Sequence, residues 1–350
     1  MSDPRGRMVE HVRGQAAACG RLGSAMYADL LTRVADDVAA GGVCADVLAG
    51  HEQDPGPSGL ALRLMGSVHR LVLERRAGAL ATFYPSVGGT FEAEGAWAAF
   101  TALLADQPDA VRLWLDRPPQ TNEVGRSVAL MGGLLGLGET HRMPVRLFEI
   151  GSSGGLNLRA DHYRYTDQHG TVFGDPDAPV QMTWGGRTLT PWPDLAVVER
   201  VGSDVMPVDV SSTEGRLALT AYVWPDHTAR HERLRGAFAV ADRVPAVVRR
   251  QDAVSFVRDL ELRDGHLTVL FHSVMWQYLS REDQAAITAR LEELGATATE
   301  DRPLAHLRLE PMRRTPDSEH EFLAAATVWP GGECEVVGDI GAHGTPATWG

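Results

Sequence analysis

"LFEIGSSGGLN", residues 147–157, is the stretch on which the reading of the fold turns. An apolar run closes on a carboxylate, Glu149. Five small residues follow Ile150, namely Gly151, Ser152, Ser153, Gly154 and Gly155. Three readings fit. The stretch can be the turn after a strand that lets a nucleotide-like cofactor approach the backbone. It can be a G-x-S-x-G elbow with Ser153 as nucleophile, His343 in "GAHG" serving as its base. It can also be a tight strand-to-helix turn and no more. The surrounding strands decide between them.

After Arg142, short β-rich runs alternate with helical stretches. They are "VRLFEI" (145–150), "AVVERV" (196–201), "PAVVRR" (245–250), "LTVLFHSV" (267–274) and "LAHLRLE" (304–310). That alternation predicts βαβ crossovers and a parallel sheet. Ser280 with Asp283 starts a helix over 280–295 whose apolar face is Ile287, Leu291 and Leu294. "EFLAAATVW" and "ECEVVGDI", joined by Pro330-Gly331-Gly332, read as an antiparallel hairpin. Residues 162–195 are rich in Gly, Pro and aromatics and read as a β-rich insertion. The first ~140 residues instead carry helical periodicity. Met26, Leu30, Val34 and Val38 recur every four residues there, and a Gly-Gly pair ends the run. The expected architecture is α/β, a doubly wound, Rossmann-like, mostly parallel sheet with an antiparallel C-terminal hairpin over residues 143–350. A helical domain over 1–142 precedes it.

In such a sheet the turns after the strands face one crevice. The second run is followed by "GSDVMP", which places Asp204 where a carboxylate accepts bonds from both ribose hydroxyls. Its separation from Gly151 far exceeds the usual ~20 residues, and the insertion accounts for the excess. The third run ends in "RQDA", with Asp252 and Ala253 where an adenine amino group is read. "LFEIGSSGG", "GSDVMP", "RQDA" and "LTVLFHSVMWQYL" resemble motifs I to IV of class I S-adenosylmethionine-dependent methyltransferases. The resemblance covers roughly residues 143–341. The whole chain also resembles the uncharacterised bacterial DUF2332 family.

The first resemblance implies S-adenosylmethionine as cofactor. Glu149, Gly151, Ser152, Ser153 and Gly155 would line its methionine and ribose side, Asp204 its ribose, Asp252 and Ala253 its adenine, with His272 nearby. Two departures stand out. Ser153 replaces the central glycine of motif I, and Phe271-His272-Ser273 opens motif IV in place of an acid or amide.

Methyl transfer needs alignment, exclusion of water and, for a poor nucleophile, a base. His272 is the candidate base, because imidazoles as a class titrate near neutrality, with Tyr278 a second catalytic candidate. Trp276 and Tyr163 are candidates to contact the acceptor, as are Asn122, Glu123 and Arg126 at the start of the helix before the first strand. The bland alternatives are a strand-end histidine, core aromatics and a capped helix. His227 and His231, spaced i, i+4, lack an evident third metal ligand, and no metal is expected.

Composition narrows the classes further. The formal net charge is -13, which disfavours nucleic acid as partner and leaves a small-molecule acceptor. All 33 basic residues are arginine; without lysine, the usual Walker A, pyridoxal and kinase chemistries are excluded. Three separated cysteines, no signal-peptide run and no ~18-residue apolar span point to a cytoplasmic protein without a membrane partner. No residue pattern specifies an oligomeric state. The competing functions are a non-catalytic nucleotide-binding or scaffold protein and a serine hydrolase built on Ser153.

Overall fold

The structure, a computed structural model, describes residues 3–350. Six helices come first: α1 (Pro4–Arg21), α2 (Ala25–Ala40), α3 (Val43–Val47), α4 (Leu60–Leu73), α5 (Ala93–Asp106) and α6 (Pro108–Arg112). Then follow α7 (Ser127–Leu137), β1 (Val145–Ile150), β2 (Arg164–Thr166), β3 (Val172–Gly174), β4 (Gln181–Thr183), β5 (Gly185–Gly186) and β6 (Val197–Asp204). Next are α8 (Thr213–Ala221), α9 (Thr228–Ala241), β7 (Val247–Arg250), α10 (Ala253–Arg258), β8 (Leu267–Ser273) and α11 (Arg281–Gly295). The chain closes with β9 (Leu304–Met312), β10 (Glu321–Trp329), β11 (Cys334–Ile340) and β12 (Ala347–Trp349). No helix among the described residues is long and apolar enough to cross a membrane.

The chain forms two compact units. One is helical and comprises the residues up to Thr121 together with Thr213–His231. The other comprises Asn122–Ser212 and Glu232–Gly350 and holds the sheets. The first unit therefore ends at Thr121 rather than at 142, and α7 falls in the sheet unit. In the helical unit, Ser24 caps α2 by accepting the Tyr27 N–H, and Gly41, left-handed at φ 74°, ends that helix. The returning segment is bonded to these helices. The Asp226 carboxylate accepts from Ser24 Oγ (2.7 Å) and Met26 N (3.1 Å). Arg70 pairs with Glu214 at 2.6 Å, and His69 Nδ1 meets the Ala221 carbonyl at 3.0 Å.

The sheet unit is α/β. Its nine strands lie in the order β5-β12-β11-β10-β9-β8-β1-β6-β7. From β7 through β6, β1 and β8 to β9 every pairing is parallel, and β9, β10, β11 and β12 pair antiparallel. From β1 the chain adds β6 and β7 on one side, then returns to add β8 and β9 on the other. Helices cover both faces. Phe148, Ile150 and Leu270 pack with α10 and α11 residues such as Phe256, Ile287 and Leu291. On the opposite face α7 approaches closely: a Cβ at Gly133 would lie 2.7 Å from Leu307, and one at Gly132 would fall inside the Trp349 ring. The 162–195 segment supplies a separate sheet ordered β3-β2-β4, with Tyr165 stacked 5.1 Å from Trp184. Trp184, Trp192 and Trp224 are buried packing residues.

Candidate functional site

The loop after β1 is left-handed at three places. Gly151 and Gly155 both have φ 66°, and Ser153 has φ 52°. Glycine tolerates that region freely, whereas a serine there carries strain. The loop is braced at both ends. Ser153 N–H donates to Asp204 Oδ2 at 2.9 Å, and Leu156 N–H donates to Asn122 Oδ1 at 2.9 Å. Ser152 is buried and donates from N and Oγ to the Ser203 carbonyl (3.0 and 3.2 Å). Asp204 Oδ1 accepts the Met206 N–H, so both of its oxygens already hold backbone groups. Each keeps a further lone pair.

No α-helix follows the loop, contrary to expectation. Residues 157–162 form a 3-10 turn with a kink at Arg159 (φ -109°). The cause is local. The Gly155 carbonyl, which an α-helix would offer to the Arg159 N–H, takes the Leu158 N–H and the Arg159 guanidinium instead.

Glu149 is 2% exposed at the end of β1. Asn157 Nδ2 donates to its Oε1 at 3.4 Å. Its Oε2 and Asn157 Oδ1 find no partner among the described residues. Burial pushes the Glu149 carboxyl up to about 8, with the Asp204 charge adding to the rise. The next strand tips join this edge. Gln251 N–H donates to the Asp204 carbonyl at 3.1 Å, which sets Gln251 and Asp252 beside it. Asp252 is exposed and caps α10 through Ser255 N–H (2.8 Å), and those bonds lower its carboxyl. Ala253 is buried at the start of α10.

His272 stands on the other face. Glu149 is paired in register with Phe271, so alternation turns His272 away from Glu149 and toward α11. The structure brings Glu149, Ser153, Asp204 and Asp252 to one edge and leaves His272 off it. Val274, at φ 51° and β-branched, turns the chain sharply after β8. Met275 then lies against Gly151, and Trp276 stacks on His272 with ring centroids 5.0 Å apart.

His272 borders a cleft of about 630 Å³ between α11 and the β8–β11 face. His272 is 1% exposed, and its Nδ1 lies 2.7 Å from Glu310 Oε1. The same oxygen accepts the N–H groups of Met275 (3.0 Å) and Trp276 (3.3 Å). His306, Arg308 and Glu310 alternate along β9 onto this face. Sequence reasoning missed them. The signal was in "LAHLRLE", three polar side chains at period two inside an apolar strand. A carboxylate behind one imidazole nitrogen orients the ring and steadies its protonated form, which is how a general base is built.

The remaining candidates have structural partners. Glu123 is buried and accepts the Gly125 N–H at 3.1 Å. Arg126 donates to the Ala342 carbonyl at 2.9 Å and lies close enough to Glu149 to lower its carboxyl slightly. Tyr163 is wholly buried and its hydroxyl is spent on the Leu156 carbonyl (2.6 Å). Tyr278 is 62% exposed on the turn after β8 and lies outside the cleft lining.

Neither curated proteins nor solved structures gave a match to this chain. One family model does match, described as an uncharacterized protein conserved in bacteria, and it spans residues 9–349. The chain thus belongs to the DUF2332 family.

Proposed function

We propose that this protein is an S-adenosylmethionine-dependent methyltransferase acting on a small molecule, built on a Rossmann-like, doubly wound sheet. One observation above all supports this reading. The loop after β1, beside the point where the strand order reverses, the Asp204 carboxylate after β6 and Gln251-Asp252 after β7 are hydrogen-bonded side by side. Ligands of open α/β sheets sit at that reversal. The donor set fits the cofactor. Asn157 Oδ1 is an unpaired acceptor, among the described residues, suited to an ammonium, whose approach would also draw the Glu149 carboxyl into its charged form. Asp204 keeps lone pairs for two hydroxyls.

The cofactor supplies a methyl group already activated on a sulfonium. The chain's part is to align the acceptor and exclude water. His272, backed by Glu310, faces α11 and lies off the edge that carries Glu149 and Asp204, so the acceptor's own nucleophilicity carries the transfer. The Val274–Trp276 turn joins the His272 face of the sheet to the loop after β1. A net charge of -13 fits a small acceptor better than nucleic acid.

Binding is the first test. Excess S-adenosylhomocysteine should raise the melting temperature by several degrees, about 2.7 kcal/mol at a hundredfold excess over Kd. Asp204→Asn should diminish that shift. Equilibrium dialysis that finds neither S-adenosylmethionine nor S-adenosylhomocysteine retained would end the proposal. The left-handed Ser153 favours one competing reading, a strained nucleophilic serine. Labelling of Ser153 by a fluorophosphonate would support a hydrolase in its place.

A further inference from the structure

Three buried polar atoms at the floor of the α11 cleft lack a partner among the described residues: His272 Nε2, His306 Nε2 and Glu310 Oε2. Their residues are 1%, 5% and 4% exposed. Leaving such atoms unpaired costs about 1–3 kcal/mol each. Their hydrogen-bonding character follows from their neighbours. His306 Nδ1 lies 3.4 Å from Arg308 Nη1, and a guanidinium only donates, so Nδ1 accepts and the ring proton sits on Nε2. Burial and the neighbouring His272 and Arg308 keep this imidazole neutral. Glu310 Oε1 accepts from His272 Nδ1, which selects the tautomer whose Nε2 is an acceptor. The floor therefore offers a donor and an acceptor on rings whose centroids are 5.0 Å apart, with Glu310 Oε2 as a second acceptor. Trp276 and Trp329 line the same cleft, and its volume of about 630 Å³ is in the range of small-molecule sites.

We infer that this cleft binds a small, flat, neutral ring with an N–H beside a C=O, the edge of a lactam. The ligand N–H donates to His272 Nε2, and its carbonyl accepts from His306 Nε2–H. The tryptophans give the ring its apolar contact. The inference stands on the cleft alone.

The test omits any methyl donor, so its outcome is independent of the methyl-transfer reading. Full-length protein is titrated with 2-quinolone and, separately, with 1-methyl-2-quinolone, and binding is followed by ligand-observed NMR. The N–H compound should bind at least about tenfold more tightly, the scale of one buried hydrogen bond. His306→Phe removes the donor to the carbonyl that both compounds share and should weaken the binding of both, and His306→Gln, whose amide N–H replaces that donor, should keep the parent affinity. Equal affinity for the two compounds would overturn the inference. So would no saturable binding up to the solubility limit, since the cleft would then hold only water. The two-compound comparison needs no variant and decides the matter even if His306→Phe fails to fold.

Discussion

Glu149 is a carboxyl whose surroundings favour its neutral form. Its folded value is about 8 against an ordinary 4.5. Below pH 4.5 both states are protonated and the full stability is present. Between 4.5 and 8 the unfolded chain releases a proton that the folded chain retains, so stability falls as pH rises, and it levels off above 8. Glu149→Gln removes the titration and keeps the contact with Asn157. Its melting temperature relative to the parent should therefore rise steadily from pH 5 to pH 8.5; a flat difference would mean that the carboxyl is not held neutral. Glu310 behaves otherwise, since three donors converge on one of its oxygens. Glu310→Ala strands all three and should cost about 3 kcal/mol in urea unfolding, whereas Glu310→Gln should cost less than half of that. The two carboxyls differ in how legible they were. Glu149 ended a quoted strand before a glycine loop. Glu310 ended an equally plain strand, but only pairing with β8 reveals that it backs His272.

At the scale of elements, the strands were read well because each is an apolar run bounded by turn residues. The run 145–150 is β1 to the residue, and the hairpin of β10 and β11 is as expected. The turn after the loop was not read, because a side-chain bond to the Gly155 carbonyl leaves no mark on periodicity. Helix α7 was legible as a helix, but its glycines were not interpretable without the sheet. Three of them give predictions of opposite sign. Gly136→Ala meets nothing within 4 Å and should stabilise by about 0.5–1 kcal/mol through helix propensity alone. Gly132→Ala and Gly133→Ala drive a methyl into Trp349 and Leu307 and should each cost about 1–3 kcal/mol by overpacking. Thermal melts of the three single variants test whether α7 lies on the sheet as closely as described.

At the scale of the whole molecule, the chain leaves the sheet unit after Ser212, contributes Thr213–His231 to the helical unit and returns at Glu232. Hydrophobic periodicity predicts that a helix buries a face, and it does not say against which neighbour. For this reason the helical part was expected to end once, near 142, and the excursion went unseen. Its anchors are Asp226 on Ser24 and Met26, Glu214 on Arg70 and the Ala221 carbonyl on His69. Groups that open together exchange their amides together. Under mild denaturant the amides of α8 should exchange with the free energy of α4, not with that of β6, which precedes α8 in sequence. Asp226→Ala removes two bonds at the start of α2 and should lower protection in α2 and α8 by about 1–3 kcal/mol, while β6 and β8 keep theirs. Protection of α8 that follows β6 in both proteins would show that this segment belongs energetically to the sheet unit.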